Sequence, residues 1–271
     1  GPTVARTCAA PQRLVEPRHE RLRELARVLH VTRSAPPPRV EVTSSRDTED
    51  GLRLEELRLT GGVNDLVPAA LALPWERSGP VPAIVCLHGT GGTWHRLMDG
   101  GPFHYRPSIH TCPGWARQFA RRGWAAFAPT QLAQPPRREP GDWEGSKMLQ
   151  PYGHTAMGRL TADVVAAVDY LATRPEIDPA RLAVAGFSLG GIVAFYSFAV
   201  DERLAAAVSF CGGVGSVDEV VRSGPVRFHS VYYYIPGLVA AGLDHPQLAP
   251  ALAPRALLVC AASADEGMPE S

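Results

Sequence analysis

The sequence predicts an α/β protein with a mostly parallel central sheet and helices on both faces, and three observations support this. After Pro80, continuous apolar runs of strand length alternate with helical segments, a pattern typical of parallel strands that are buried on both faces. Short runs of β character before Pro80 predict antiparallel strands that open the sheet. The chain has 271 residues, 45% of them hydrophobic, which is enough for one full-sized core.

The first predicted element is an amphipathic helix between Pro11 and His30. Leu22, Leu25 and Leu29 recur at helical spacing among arginine and glutamate residues, which predicts a helix that lies on the domain. A proline-rich run that closes at Pro38 ends it. We expect residues 1–38 to form an N-terminal extension and residues 39–271 to form one α/β domain.

The strands are predicted from β-rich runs and then from continuous apolar runs. Leu52–Leu59 and Leu66–Leu73, on either side of Gly61-Gly62, predict an antiparallel meander. The parallel strands are predicted at Ala83–Leu87, Trp124–Ala128, Leu182–Ala185, Ala205–Phe210 and Ala256–Ala261.

Helices are predicted between these strands, together with two irregular stretches. The apolar spacing predicts helices at Trp115–Arg122, around Leu160, Val164, Val168 and Leu171, and at Ile192–Val200. Residues 131–153 and 212–254 show no regular pattern. Long connections at the carboxyl ends of parallel strands commonly carry the ligand site, so we expect these two stretches to form a lid and the walls of a pocket.

Composition excludes several classes of partner. Lys plus Arg and Asp plus Glu number 27 each, which gives no electrostatic basis for binding nucleic acid or an anionic membrane. No apolar run approaches the roughly 20 residues that a membrane span requires. Five widely spread cysteines favour free thiols in a reducing compartment, so we expect a cytoplasmic protein.

No cofactor and no metal site are expected. His104, His110 and Cys112 are close in sequence, but their spacing matches no strong zinc pattern. Asp142 and Glu144 are two residues apart on a loop rich in proline and glycine, which does not by itself support a glycosidase pair.

The segment Gly186-Phe187-Ser188-Leu189-Gly190 predicts a nucleophilic serine. It follows an apolar strand and precedes a helix, which is the context that distinguishes a G-x-S-x-G nucleophile from a chance match on a surface turn. Glycines at 186 and 190 remove collisions around a strained serine. The helix N-terminus after Ser188 favours developing negative charge.

The loop from His88 to Gly92 predicts an oxyanion hole. It directly follows an apolar strand and lies about 100 residues before Ser188, in the order that a G-x-S-x-G hydrolase requires. One N–H donor is expected from Leu189 and the other from Thr90 or Gly91. A phosphate-binding loop is disfavoured because no Lys-Ser or Lys-Thr follows. His88 precedes the serine and is expected to be a structural hydrogen-bonding residue.

The acid of a catalytic triad is expected in the turn after the strand at Leu257–Cys260. Asp265 lies where an orienting carboxylate belongs, and Glu266 is a less favoured substitute. The alternative is an ordinary solvated aspartate in a loop.

Taken together, these segments resemble a known family. The chain resembles α/β hydrolases of the dienelactone-hydrolase and acetyl-xylan-esterase-like group. The resemblance covers about Val81–Pro269. The matching segments are His88–Gly92, Arg174–Asp178, Gly186–Gly190, Asp201–Arg203, Tyr234–Leu238 and Ala253–Leu258 with Asp265. It implies the α/β-hydrolase fold and a triad that includes Ser188 and Asp265. Dienelactone hydrolases proper use a cysteine nucleophile, so the serine favours the esterase side of the group.

The third triad member is not found in the sequence. In this fold the histidine follows the acid, yet six residues follow Asp265 and none is His. We therefore expect the final strand and the histidine loop of the fold to be missing from this chain, which would bare a sheet edge. A second copy of the chain could cover that edge as a homodimer. His245 precedes the penultimate strand, so a pocket-wall or capping role is expected for it.

Three functional hypotheses follow. The first is a serine hydrolase that cleaves a carboxylic ester or thioester of a small molecule through an acyl-enzyme on Ser188. The second keeps the same serine chemistry but yields acyl transfer or cyclisation. The third is a non-hydrolytic binding protein that retains the turn at Ser188 for folding. Tyr232–Tyr234 is expected to pack loops or to line an apolar pocket.

Overall fold

The computed structural model describes residues 15–31, 38–60, 66–102, 111–112, 114–134, 136–137, 141–263 and 265. The strands are β1 (Val40–Asp47), β2 (Leu52–Thr60), β3 (Leu66–Pro74), β4 (Val81–Leu87), β5 (Gly101–Pro102), β6 (Thr111–Cys112), β7 (Ala125–Pro129), β8 (Ile177–Phe187), β9 (Leu204–Phe210) and β10 (Ala256–Cys260). The α-helices are α1 (Val15–Val28), α2 (Trp94–Asp99), α3 (Trp115–Ala120), α4 (Asp142–Leu149), α5 (Ala156–Leu171), α6 (Leu189–Val200), α7 (Val217–Ser223) and α8 (His245–Leu248).

An eight-stranded mixed sheet organises the chain, in the order β1-β2-β3-β7-β4-β8-β9-β10. β1, β2 and β3 pair antiparallel, and β3 pairs antiparallel with β7. From β7 onward, every neighbouring pair is parallel. The predicted meander followed by a parallel sheet is therefore confirmed.

Alternating side chains of β4 divide the core into two layers. Val85 and Leu87 belong to one apolar cluster, which also contains residues of α1, α5 and α6. Ile84 and Cys86 belong to a second cluster, with residues of α2 and α3. Because successive strand residues point to opposite faces, the sheet is covered by helices on both faces, as predicted.

The predicted N-terminal helix is present as α1. Leu22, Leu25 and Leu29 are buried in the cluster that contains α5 and α6, so the apolar stripe packs on the domain as its spacing indicated. Residues 11–14 and 32–37 lie outside the described residues. The division of the chain at residue 38 stays a prediction.

The irregular stretches contain helices that their sequences did not reveal. α4 lies within 131–153, and α7 and α8 lie within 212–254. For α7 a local signal exists, because the Ser216 hydroxyl accepts the Glu219 N–H in a capping arrangement. β1 was also not predicted, because its side chains are almost all exposed and it shows no apolar alternation.

The structure also bears on the membrane question. Within the described ranges, no helix combines the length and the apolar character that crossing a bilayer requires.

Candidate active site

Ser188 lies at a sharp turn between β8 and α6. Its backbone has φ 54° and ψ −120°, values that mirror the first central position of a type II turn and that normally require glycine. The Ser188 N–H donates to the carbonyl of Phe210 at 2.9 Å, which ties the turn to the end of β9. The neighbouring strand therefore holds the serine in this strained conformation.

Two glycines make the turn possible. A Cβ atom at Gly186 would lie 2.0 Å from the carbonyl oxygen of Gly190, and one at Gly190 would lie 2.2 Å from the carbonyl oxygen of Leu87. Both distances are far below contact, and both obstructing atoms belong to the backbone. The close packing of α6 against β4 and β8 at this point therefore depends on glycine at both positions.

Ser188 opens into a cavity of about 390 Å³ at the carboxyl ends of the parallel strands. Thr90, Leu189 and Asp265 also line this cavity. The structure thus brings together four of the five residues predicted for the site, although they come from three distant parts of the sequence. We call this space the Ser188 cavity.

Gly91, the fifth predicted residue, does not line the Ser188 cavity among the described residues. Its N–H donates to Oε1 of Gln134, a residue of the loop after β7. Thr90 lies beside it, and the Thr90 Oγ1 is 3.2 Å from the hydroxyl of Tyr232. The Gly91 N–H is therefore engaged within the protein, whereas Thr90 lines the Ser188 cavity.

His88 holds the oxyanion loop from inside. Its side chain is buried, Nε2 accepts the Gln131 N–H at 3.1 Å, and Nδ1 donates to the Gly89 carbonyl at 2.9 Å. The side-chain amide of Gln131 also donates to the His88 carbonyl. Burial lowers the pKa of His88 to about 4, so the imidazole is neutral at pH 7 and has both nitrogens engaged. This matches the structural role expected for it.

Asp265 follows β10 and lies close to Cys211, which also lines the Ser188 cavity. The Cys211 N–H donates to the Cys260 carbonyl at 2.7 Å. Burial, and after it the charge of Asp265, raises the pKa of the Cys211 thiol. The thiol is therefore protonated at neutral pH and is a poor rival to Ser188 as nucleophile. Glu266, the alternative acid, lies outside the described residues.

One wall of the Ser188 cavity comes from His229 and from the tyrosine run, for which a packing or pocket-lining role is expected. His229, Tyr232 and Tyr233 all line it. The rings of His229 and Tyr233 stack with centroids 4.2 Å apart, and the Tyr233 hydroxyl donates to the Gly213 carbonyl at 2.8 Å. Their stretch, 212–254, was predicted as a pocket wall, but no local pattern singles out His229.

His245 lies behind this wall and is not among the described residues that line the Ser188 cavity. Its Nε2 accepts the Tyr196 hydroxyl at 2.7 Å, and its Nδ1 donates to the Gly215 carbonyl at 2.5 Å. Burial lowers the pKa of His245 to about 4. Asp244 accepts the N–H groups of Val217 and His245. The pair therefore fixes the loop before α7, which agrees with the capping role expected for this segment.

No candidate metal centre emerges from the part of the chain that the structure describes, since no three His, Cys, Asp or Glu side chains cluster there. His104 and His110, part of the loop group considered from the sequence, lie outside those residues.

The strained serine lies between a central parallel strand and the helix that follows it, and it faces a loop from the neighbouring strand. On a sheet of this topology, that arrangement is characteristic of the α/β-hydrolase class. The sequence model of the dienelactone hydrolase family matches residues 67–227. The chain belongs to the dienelactone hydrolase family, and it is a hydrolytic enzyme.

Individual relatives agree with this assignment. The chain is 26% identical over 242 residues to "Putative hydrolase YtaP" of Bacillus subtilis (strain 168), covering 88% of this chain and 78% of that protein. A crystal structure of a "putative acetyl xylan esterase" from Bacteroides fragilis NCTC 9343 is similar at a TM-score of 0.78 and 19% identity, over 93% of this chain and 69% of the other. A glucuronoyl esterase from Solibacter usitatus is similar at a TM-score of 0.65 and 17% identity, over 91% and 74%. At these identities the two structures show the shared fold.

Proposed function

We propose that this hydrolase cleaves a carboxylic ester or thioester of a small molecule through an acyl-enzyme on Ser188. One observation carries the proposal: Ser188, Leu189, Thr90 and Asp265 line the same cavity. The names of the structural relatives, an acetyl xylan esterase and a glucuronoyl esterase, support an ester as the substrate class.

In the first step, the Ser188 hydroxyl oxygen attacks the carbonyl carbon while a general base accepts its proton. The carbonyl oxygen becomes an oxyanion that accepts hydrogen bonds from the N–H groups of Leu189 and Thr90. Leu189 is the first residue of α6, so its N–H has no acceptor within the helix and lies at the positive end of the helix dipole. Gly91 would first have to give up its bond to Gln134.

In the second step, the oxyanion collapses and the alcohol or thiol leaves with the proton held by the base. Water then attacks the acyl-enzyme, releases the acid and regenerates the Ser188 hydroxyl. Asp265 orients the base and stabilises its positive charge. An acceptor other than water would give acyl transfer or cyclisation, and product analysis by mass spectrometry separates these outcomes.

The general base is expected to be a histidine. The order of the triad places it after Asp265 in the chain. Among the described residues, His229 is the histidine that lines the Ser188 cavity, so it is the first one to test. If His229 is the base, His229→Ala lowers kcat/KM by about 10²–10⁴-fold. A smaller loss, mainly in KM, assigns it to the cavity wall.

A fluorophosphonate probe tests the nucleophile. We expect one label per chain, located at Ser188 by peptide mass spectrometry and absent from Ser188→Ala. Cys211→Ala is the matched control, because Cys211 lines the same cavity and its loss should leave the label in place. Failure to label wild-type protein, under conditions that label a known esterase, would refute the proposal.

Two further proposals concern the setting of the enzyme. Cys86, Cys211 and Cys260 are free thiols in the structure, which supports a location in the reducing cytoplasm. A homodimer through β10 is supported by the exposure of Leu258 and Val259 on that strand. Light scattering during gel filtration tests it, and a monomer mass would refute it.

A further inference from the structure

A second cavity, of about 480 Å³, shares the side chain of Tyr232 with the Ser188 cavity. It lies between the start of β3, the loop after β7, and helices α4 and α5. Much of its wall is apolar, formed by Leu66, Leu132, Met148, Leu149, Ala156 and Leu160. Its volume falls within the roughly 300–1,000 Å³ typical of small-molecule sites. We call it the second cavity.

Tyr232 is the side chain that the two cavities share, because it lines both. Its hydroxyl is 3.2 Å from Oγ1 of Thr90, the residue favoured as an oxyanion donor. Tyr232 therefore lies at the boundary between the two cavities, and a group that extends from a carbonyl held at Thr90 would reach the second cavity by passing the Tyr232 ring.

The loop after β7 lines the second cavity and also contacts the loop that follows β4. Leu132 and Ala133 line the second cavity, while their neighbour Gln134 accepts the N–H of Gly91. A ligand in the second cavity thus rests on the segment that supports the oxyanion loop.

Part of the apolar lining of the second cavity is exposed to solvent. Leu66 is 54% and Met148 is 63% exposed, and both line the second cavity. Adjacent exposed apolar side chains at a concave surface are a feature of ligand sites.

The polar groups in this wall favour a neutral ligand. Arg137 is buried against Asp163 at 2.8 Å and donates to the Thr130 carbonyl at 2.9 Å, so its charge is compensated within the protein. Asp142 accepts the Ser230 hydroxyl at 2.9 Å. Arg159 also lines the cavity, which makes an anionic ligand the alternative to exclude.

We propose that the second cavity binds an apolar substituent of the ester that reacts at Ser188, seated beside Tyr232. This inference rests on the proposed function. The substituent belongs to either the acyl group or the alcohol of the ester, and the two arms of the test separate these sources.

The acyl arm compares p-nitrophenyl acetate with the hexanoate, and the alcohol arm compares methyl acetate with hexyl acetate. Each methylene buried in the second cavity should raise kcat/KM by up to about fourfold. In one arm we expect a long-to-short ratio of at least about tenfold. No chain-length preference in either arm, or a preference for a carboxylate-terminated chain, would overturn the inference.

Variants of α4 locate the effect. Leu149→Trp places a ring in the second cavity and should lower the long-to-short ratio by at least about tenfold. Met148→Trp, at an exposed position, repeats the test if Leu149→Trp does not fold. Glu144→Trp adds the same ring on an exposed part of α4 that does not line the cavity, and it should leave the ratio unchanged. Equal ratios in all variants would contradict the assignment.

A binding measurement separates failure of this inference from failure of the proposed chemistry. Saturation-transfer NMR on Ser188→Ala protein needs no catalysis. Hexyl acetate or methyl hexanoate should bind, and Leu149→Trp in the same background should weaken the binding by at least about tenfold. Absence of binding overturns the second cavity as a site even if Ser188 is labelled. Binding without any labelling or hydrolysis instead refutes the serine mechanism.

Discussion

Replacing Ser188 with glycine should make the protein more stable while abolishing its reactivity. The serine has φ 54° and ψ −120°, a conformation that costs a non-glycine residue about 1–3 kcal/mol. Glycine adopts it without strain but adds about 0.5–1 kcal/mol of chain entropy in the unfolded state. The difference predicts a net gain of up to about 2.5 kcal/mol in the free energy of unfolding.

Ser188→Ala is the proper reference for this measurement. It removes the hydroxyl, as glycine does, but keeps the Cβ atom and therefore the strain. Urea unfolding of the two variants isolates the backbone contribution, provided that both show the same dependence on urea concentration. Ser188→Gly should have the higher midpoint.

Ser45→Gly supplies a control of opposite sign. Ser45 lies on the exposed strand β1 and is not among the residues with positive φ, so glycine there should cost about 0.5–1 kcal/mol. The reasoning fails if Ser188→Gly is no more stable than Ser188→Ala, because the turn would then store no strain.

Three other predictions can be checked directly. Gly186→Ala should lower the free energy of unfolding, measured in urea, by more than about 2 kcal/mol, because its Cβ would lie 2.0 Å from the Gly190 carbonyl oxygen. Gly79→Ala is the control and should be neutral, because nothing lies within 4 Å of its Cβ. Equal stability of the two variants would contradict this prediction. Gln134→Ala removes the acceptor of the Gly91 N–H and should lower kcat on the order of tenfold with little change in KM. Gln134→Glu keeps an acceptor oxygen and should retain most activity. A change confined to KM would argue against a positioning role for Gln134. Burial lowers the pKa of both His88 and His245 from 6.5 to about 4, so between these pH values the unfolded chain binds more protons than the folded one. The stability present above pH 6.5 should therefore fall as the pH drops toward 4. The fall should be shallower in His245→Gln, and an identical slope would exclude His245 as a source of the pH dependence.

Much of the fold follows from the sequence because its signals are local. The apolar runs around Ile84 and Val184 are continuous, since parallel strands are buried on both faces. The spacing of Leu22, Leu25 and Leu29 indicates which face of α1 packs against the core. β1 and α4 gave no such signal, because an exposed strand and a short helix are stabilised by their neighbours and not by their own pattern.

The signal for the turn at Ser188 is also local. Gly186, Ser188 and Gly190 lie within five residues, and this segment itself contains the two glycines that a strained serine requires on either side. The order of strand, turn and helix around this segment is the basis for predicting Ser188 as the nucleophile.

Only the tertiary structure brings the distant residues predicted for the site together with Ser188. Thr90 and Asp265 meet it because parallel strands end at the same edge of the sheet, and the sheet order that places those strands together is not encoded in any short segment. The bond from the Gly91 N–H to Gln134 is likewise tertiary, and it supports the proposal of Thr90 as the second oxyanion donor, an alternative that the sequence left open. The place of His229 and Tyr232 in the cavity wall depends on how the stretch 212–254 folds back over the sheet, which is set by packing and not by local propensity.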